Sequence, residues 1–219
     1  HGTIIAGIAA ASGHNGEGIS GISWRAKIMP LRVLDSQGNG NVLSVYKAIE
    51  YAIKNKANII NMSFVGTDSS EILTDIIKKA YDAGLIIVAA AGNSNPNETG
   101  LDFQKNKRFP ICSGLDDPVN YILGVASIND LNQRSEFSNY GNNCVDISAP
   151  GEKIYGTQMY NPSISDFNLF YNGPWSGTSL SAPMVSGAVA LLKSIRPDLS
   201  NIQIMDSINK GADKITNGD

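Results

Sequence analysis

Three polar side chains in this sequence stand where acyl-transfer chemistry would need them, and the first is Ser179. It directly precedes a predicted apolar helix that runs to about Arg196 and carries Pro183 in its opening turn. Unpaired N–H groups and the positive end of the helix dipole would face any negative charge that develops beside its hydroxyl. A serine in this position is more often an N-cap, so its interpretation as a nucleophile depends on the other two residues.

A serine nucleophile needs a base, and the chain contains two histidines, His1 and His14. His1 begins a run of small residues that predicts a helix, which would hold the imidazole firmly at its first turn. His14 lies in a glycine-rich loop, where a solvated histidine is the default. His1 is therefore the predicted base.

Asn93 is the third residue, and it suits the stabilisation of an oxyanion by a side-chain amide donor. The apolar run from Leu85 to Ala90 predicts a buried strand, and Asn93 follows at its carboxyl end. Loops at that edge of an open α/β sheet commonly carry function. An asparagine after a glycine is also typical of a turn, so the oxyanion-binding role of Asn93 depends on the presence of Ser179 and His1.

With these residues in place, the sequence resembles the subtilisin-like serine proteases (subtilases) along almost its whole length. The resemblance implies that His1 is the general base and acid, that Ser179 is the nucleophile, and that Asn93 and the Ser179 N–H form the oxyanion hole. It also implies a substrate-binding strand and a loop ahead of the nucleophile. The motifs that carry it are His1-Gly2-Thr3, Asn61-Met62-Ser63, Ala90-Ala91-Gly92-Asn93, Ala149-Pro150-Gly151 and Gly177-Thr178-Ser179-Leu180-Ser181-Ala182-Pro183.

The resemblance further implies two segments that flank an extended peptide substrate and pair with its backbone. They are Gly38, Asn39 and Gly40 on one side and Ser63, Phe64, Val65 and Gly66 on the other. The family usually carries glycine where this chain has Val65, so we hypothesise that Val65 narrows the primary or the fourth subsite; the alternative is that Val65 only packs on the sheet.

The resemblance also implies a primary specificity pocket beside Asn93. Its wall would comprise Ala90, Ala91 and Gly92, with Ser94 near its floor. None of these residues is charged, which favours a broad or apolar preference. The alternative is that an acidic loop residue reaches the pocket and selects a basic side chain; the candidates are Glu98, Asp102, Asp116 and Asp117.

The resemblance also implies a catalytic aspartate ahead of the histidine, and the sequence begins at His1. We therefore expect residues 1–219 to be a single catalytic domain truncated at both ends, with the carboxylate upstream. Such a carboxylate orients the imidazole, and its loss in a characterised family member costs roughly 10⁴ in turnover, a magnitude taken from that enzyme. The segment alone should be nearly inactive.

The sequence leaves two alternatives to a serine endopeptidase. The first is a catalytically inactive subtilase-like domain that serves as a binding or scaffold module. The second is an esterase of the α/β-hydrolase type, which is disfavoured because Ser179 lies in G-T-S-L-S and not in the G-x-S-x-G elbow of those enzymes.

The composition agrees with a single globular enzyme domain that acts on a polypeptide substrate. The 219 residues are 42% hydrophobic and carry a formal net charge of −3, which indicates neither a nucleic-acid partner nor an anionic membrane. No uninterrupted apolar stretch of membrane-spanning length is predicted. We expect a monomer, and the family implies an extracellular or cell-envelope location. Cys112 and Cys144 fit no metal spacing; they pair if the protein is exported, or remain free buried thiols.

Alternating strand and helix patterns predict an α/β fold with a mostly parallel central sheet and helices on both faces, which is the subtilisin-like fold. Helices are predicted at the start of the chain, after Asn41, over Glu71–Ala83 and after Ser179. Strands are predicted over Lys27–Leu34, Ile59–Phe64, Leu85–Ala90, Tyr121–Ile128 and Val145–Ser148.

No cofactor is required for the chemistry that these residues suggest, and no catalytic metal site is predicted. Gly16–Gly21 matches the G-x-G-x-x-G pattern of dinucleotide-binding proteins, but a helix precedes it and a strand is predicted after it, which is the reverse of the required order. The loop from Gly13 to Ile19 resembles a calcium loop of the family. A structural calcium is therefore expected there, with the Asn15 side chain and the carbonyls of Gly13, Glu17 and Ile19 as ligands.

Overall fold

Four parallel strands form the centre of the molecule, and they lie side by side in chain order. The structure is a computed structural model, and it describes residues 1–215. The strands are β1 (Ile59–Met62), β2 (Ile86–Ala90), β3 (Ile122–Ile128) and β4 (Ile147–Pro150). A separate antiparallel hairpin comprises β5 (Ile154–Thr157) and β6 (Tyr171–Trp175).

Five α-helices surround these strands, and a short 3₁₀ helix (Ser165–Phe167) lies between β5 and β6. The predicted cap is confirmed at Asn41, whose side chain accepts a hydrogen bond from the Ser44 N–H at 2.9 Å. The α-helices are α1 (Gly2–Ala10), α2 (Val42–Lys54), α3 (Glu71–Asp82), α4 (Thr178–Ile195) and α5 (Asn201–Gly211).

The side chains of β2 alternate between two hydrophobic cores, as expected of a strand covered on both faces. Ile87 and Ala89 pack into the core that contains residues of α2 and α3. Ile86 and Val88 pack into the core that contains residues of α4 and α5. The prediction of a parallel α/β sheet with helices on both faces is therefore confirmed.

The predicted strand over Lys27–Leu34 is wrong. In the structure this segment is irregular and joins no sheet, apart from an isolated bridge between Leu34 and Gly40. No strand of the described residues pairs with it, and Pro30 has no N–H to donate to a ladder. Met29 and Leu31 are 38% and 37% exposed, so the apolar pattern that suggested a buried strand is only partly buried.

Several boundaries and elements also differ from the sequence-based expectation. β1 ends at Met62 and not at Phe64, and β4 begins at Ile147 and not at Val145. The β5–β6 hairpin and α5 were not predicted, although the sequence carries a signal for α5. Ser200 and Gln203 form a capping box, with the Ser200 hydroxyl accepting from the Gln203 N–H and the Gln203 side chain accepting from the Ser200 N–H.

The length and apolar composition of α4 would also suit a membrane span. Half of this helix is buried inside the protein, where it is the central helix of one hydrophobic core.

The two cysteines, for which sequence left two alternatives, form a disulfide. Cys112 and Cys144 are both buried, and their Cα atoms are 5.1 Å apart. The bridge joins the loop before β3 to the loop before β4, so it fastens together two neighbouring parts of the chain at one end of the sheet.

Candidate active site

Ser179 is the second residue of α4, which begins after Gly177. The N-cap interpretation of this serine is therefore wrong, since Gly177 occupies that position. The Ser179 N–H lies in the first helical turn, where backbone donors have no helical acceptor. Its side chain is partly buried, and within residues 1–215 its hydroxyl makes no hydrogen bond. Both groups are available to a ligand.

Asn93 is held in one orientation by Thr178, a residue that sequence reasoning did not select. The Asn93 Oδ1 accepts hydrogen bonds from the Thr178 N–H and from the Thr178 hydroxyl, each at 3.0 Å. The same hydroxyl accepts a hydrogen bond from the Gly92 N–H at 2.9 Å. Because both bonds fix the amide oxygen, the Nδ2 donor of Asn93 points away from Thr178.

The space beside Gly177 brings Asn93 and Ser179 together. A Cβ placed on Gly177 would lie 3.1 Å from Asn93 Nδ2 and 3.4 Å from Ser179 Oγ. It would lie 3.9 Å from the Ser179 backbone nitrogen. The absence of a side chain on Gly177 therefore leaves open a small space bordered by one hydroxyl, one amide donor and one backbone nitrogen.

A chain of hydrogen bonds links the start of α4 to β1. The Ser63 hydroxyl donates to the Ser179 carbonyl at 2.9 Å, and it accepts from Asn61 Nδ2 at 2.9 Å. The Ser186 hydroxyl donates to Asn61 Oδ1 at 2.9 Å. Ser63, predicted to bind substrate, therefore also fixes the backbone at Ser179.

Val65 and Gly92 form the contact between the two segments expected to border the primary pocket. Gly92 has a φ of +83°, and a Cβ on it would lie 2.7 Å from Val65 Cγ2. Glycine is therefore required there by conformation and by space. Ala90 and Ala91 are 1% and 0% exposed, so their side chains lie in the core. Their role in substrate binding stays a prediction.

The remaining residues predicted to bind substrate lie in turns and at strand ends. Ser94 donates its hydroxyl to the Glu98 carbonyl at 2.7 Å, so its side chain is engaged within its own loop. Phe64 is partly buried against a hydrophobic core, and a Cβ on Gly66 would meet no atom within 4 Å. The surroundings of Gly66 are therefore less crowded than those of Phe64.

The turn containing Gly38, Asn39 and Gly40 closes around the Asp35 carboxylate. Asp35 Oδ1 accepts hydrogen bonds from the Asn39 N–H at 2.9 Å and the Gln37 N–H at 2.8 Å. The donors on Asn39 and Gln37 lower the pKa of Asp35, so its carboxylate stays charged and keeps the turn closed at neutral pH.

His1 occupies the N-cap position of α1, and its side chain makes no capping hydrogen bond. It is exposed, and no hydrogen bond joins its imidazole to Ser179 in the part of the chain that the structure describes. The helix that it begins packs closely on α4, since a Cβ on Gly187 would lie 3.1 Å from the Ala9 carbonyl oxygen. The structure thus brings Asn93 and Ser179 together and places His1 on the neighbouring helix.

A buried carboxyl, Asp146, lies just before β4. Burial raises its pKa, although hydrogen bonds from the Gly124 N–H and from Asn120 Nδ2, both at 2.7 Å, act in the opposite direction. These contacts join the start of β4 to β3, so Asp146 has a structural role in the sheet.

The loop from Gly13 to Ile19 contains a single carboxylate, Glu17. The side-chain oxygen of Asn15 accepts a hydrogen bond from the Glu17 N–H at 3.1 Å. The described residues contain no group of three or more His, Cys, Asp or Glu side chains that could hold a metal ion. Calcium binds six to eight oxygens, and this loop offers the four expected ones, so the calcium site stays a prediction.

A second residue that sequence reasoning missed is Asn139, which is 1% exposed. Its Nδ2 donates to the Ala91 carbonyl and its Oδ1 accepts from the Leu101 N–H, both at 2.9 Å. It thereby supports the segment that carries Asn93. No local pattern marks Asn139, whereas the position of Thr178 beside Ser179 was a usable signal.

Comparisons with known proteins identify the family to which the chain belongs. The model of the Subtilase family matches residues 1–218. The minor extracellular protease Epr of Bacillus subtilis (strain 168) is 35% identical over 216 residues, which cover 96% of this chain and 29% of that protein. A thermostable alkaline protease of Halalkalibacterium halodurans is 36% identical over 214 residues, which cover 97% of this chain and 52% of that protein. The chain thus spans about half, or less, of the length of these relatives.

Solved structures show the same fold. Proteases from Pseudoalteromonas arctica superpose with a TM-score of 0.83 and 32% identity, covering 98% of this chain and 64% of theirs. A cold-adapted subtilisin-like serine proteinase superposes with a TM-score of 0.80 and 28% identity, covering 100% of this chain and 70% of its own. Matched over nearly its entire length by sequence and by structure, the chain belongs to the subtilase family.

Proposed function

We propose that this chain carries the nucleophile, the base and the oxyanion donors of a serine endopeptidase. The observation that supports this most directly is the small space beside Gly177, where a Cβ would lie 3.4 Å from the Ser179 hydroxyl oxygen and 3.1 Å from Asn93 Nδ2. A peptide carbonyl placed there would present its carbon to Ser179 and its oxygen to Asn93 Nδ2 and the Ser179 N–H.

In the proposed mechanism, Ser179 attacks the carbonyl and His1 accepts the hydroxyl proton. His1 then donates this proton to the leaving amine, and an acyl-enzyme forms. Water, activated by His1, releases the acyl group. The negative charge of each tetrahedral intermediate is stabilised by the Asn93 amide, which Thr178 holds in place, and by the N-terminus of α4.

The packing of α1 on α4 supports the assignment of His1 as the base. Ala9 lies eight residues after His1, and its contact on α4, Gly187, lies eight residues after Ser179. The helix that begins after His1 therefore lies directly against the helix that carries Ser179. The proposal also includes a carboxylate, supplied from upstream of His1, that orients the imidazole.

The proposed substrate is an unfolded or extended polypeptide, bound between the Gly38–Gly40 turn and the Ser63–Gly66 segment. We propose an extracellular or cell-envelope location as well. The Cys112–Cys144 disulfide supports it, because disulfides persist in oxidising compartments. The name of the B. subtilis relative, an extracellular protease, is consistent with that location.

The test is hydrolysis of a denatured protein by the complete polypeptide that contains this chain, compared with its Ser179→Ala variant. A matched control is Ser176→Ala, since Ser176 is exposed and lies three residues before the nucleophile. Hydrolysis by the native and Ser176→Ala proteins, and its loss in Ser179→Ala, would support the proposal. Equal hydrolysis by all three would remove Ser179 from its role, and binding of the denatured protein without any cleavage would favour the scaffold alternative.

A further inference from the structure

Arg108 lies beside the segment that is proposed to pair with substrate. Its neighbour Phe109 forms two backbone hydrogen bonds with Gly66: the Gly66 N–H donates to the Phe109 carbonyl at 2.7 Å, and the Phe109 N–H donates to the Gly66 carbonyl at 3.0 Å. Arg108 is therefore attached to the end of the Ser63–Gly66 segment through an adjacent, fixed residue.

The alternation of side chains indicates which side of this pair Arg108 faces. In an antiparallel pair, the two opposed residues point to one face and their neighbours point to the other. Phe109 and Lys107 line an open groove of about 500 Å³ beside the start of α3, and Arg108 is not among the residues that line it. Val65, the neighbour of Gly66, faces Gly92 on the opposite side. Arg108 thus shares the side on which Val65 meets the Asn93 segment.

The Arg108 guanidinium has no carboxylate partner within residues 1–215. Its Nη1 donates a hydrogen bond to the Lys107 carbonyl at 3.1 Å; this bond is exposed, and the residue as a whole is of intermediate exposure. A guanidinium without a counter-ion can bind a carboxylate through two parallel N–H donors.

The sequence offers four acidic residues as the alternative to an uncharged pocket, and three of them bond to other groups. Asp117 forms an ion pair with Lys78 at 2.9 Å on the α3 side, where Asp116 also lies. Glu98 accepts a hydrogen bond from Asn95 at 3.0 Å, and Asp102 accepts one from the Gln104 N–H at 2.9 Å. None of these contacts joins a carboxylate to the Ser63–Gly66 segment, whereas Arg108 is joined to it through Phe109.

We infer that Arg108 makes this enzyme prefer substrates with an acidic side chain, above all glutamate, immediately before the cleaved bond. The inference rests on the proposed endopeptidase function and names its substrate class. A charged hydrogen-bonded pair in such a setting discriminates a carboxylate from its neutral amide by about tenfold in kcat/KM.

The experiment uses the complete protein and a set of peptide substrates that differ only in the residue before the cleaved bond. Glu, Gln, Leu and Lys are compared, and the Glu to Gln ratio of kcat/KM is the measured quantity for each enzyme. The variants are Arg108→Gln and, as a matched control, Lys107→Gln, which removes the adjacent cation on the opposite face. We expect a ratio of about ten that falls to about one in Arg108→Gln, persists in Lys107→Gln and declines as NaCl is raised.

The outcomes separate this inference from the proposed function. Hydrolysis of the Leu or Gln peptide that depends on Ser179, with no preference for Glu, would overturn the role of Arg108 while the endopeptidase function stands. A preference for Glu that survives in Arg108→Gln, or vanishes in Lys107→Gln, would also overturn it. If no peptide in the set is hydrolysed, the endopeptidase function and the inference both fail.

Discussion

Replacing Thr178 with valine tests the contact that orients Asn93. Thr178 is 1% exposed, and its hydroxyl is the acceptor for the Gly92 N–H and a donor to Asn93 Oδ1. Valine has nearly the same shape, so the substitution removes these two hydrogen bonds and leaves the packing almost unchanged.

The expected magnitude follows from these contacts. Loss of the Thr178 hydroxyl leaves the Gly92 N–H without an acceptor in a buried site, which lowers the free energy of unfolding by about 1–3 kcal/mol. Asn93 Oδ1 keeps its hydrogen bond from the Thr178 N–H, so the amide remains oriented by one bond in place of two. Complete loss of an oxyanion donor costs about 10²–10³ in kcat, and we expect Thr178→Val to cost about tenfold.

Two assays measure these effects separately. Urea unfolding in a Ser179→Ala background gives the free energy of unfolding without self-digestion, and peptide hydrolysis in the active background gives kcat. Thr178→Ser, which retains the hydroxyl, is the matched control and should keep most of both quantities. If Thr178→Val unfolds and turns over like the native protein, or if Thr178→Ser is damaged as severely as Thr178→Val, the argument from the hydroxyl is refuted.

Three further predictions concern the surrounding structure, and each is measured by urea unfolding in the Ser179→Ala background. Burial raises the pKa of Asp146 above its ordinary 3.8, so the folded protein holds this proton to a higher pH than the unfolded chain does. The stabilisation that comes from the protonated carboxyl is complete below pH 3.8 and is lost as the pH rises through the folded-state pKa. The native protein should therefore lose stability relative to Asp146→Asn as the pH is raised from about 3.8 toward neutrality; a constant difference would contradict this. Replacing Cys112 and Cys144 with serine removes a cross-link between residues 32 apart and should cost roughly 4 kcal/mol on a chain-entropy estimate; equal midpoints with and without the cross-link would refute it. Gly92→Ala should lower the free energy of unfolding by about 1 kcal/mol because of its φ of +83°, and by a further amount because the new Cβ clashes with Val65. Adding Val65→Ala should recover only the part that is due to the clash. Strictly additive losses would show that the two side chains do not meet.

The sequence predicted the sheet and its helices best where a segment is buried on both faces. β2 and β3 are continuous apolar runs because helices cover both sides of them, and α2 and α3 carry clear apolar stripes and side-chain caps. Lys27–Leu34 has a similar apolar composition, yet no strand of the described residues pairs with it. An apolar pattern predicts that a segment is buried. Whether the segment forms a strand also depends on an adjacent strand, which the local sequence does not reveal.

The candidate site shows the same division. Ser179 and Asn93 were found from helix and strand ends, because those positions follow from local patterns. Thr178 and Asn139 act through contacts across the fold, with partners 85 and 48 residues away, and no periodicity marks such pairs. The place of Ala90 and Ala91 on the pocket wall comes from the resemblance to subtilases and not from a local pattern, and the fold buries their side chains.

The identity of Ser179 as the nucleophile is tested most directly by a serine-directed phosphonate applied to the complete protein. Peptide mass mapping of the labelled protein should find one adduct on Ser179, which Ser176→Ala retains and Ser179→Ala loses. Labelling that persists at full stoichiometry in Ser179→Ala, or an adduct on another residue of the native protein, would contradict the account.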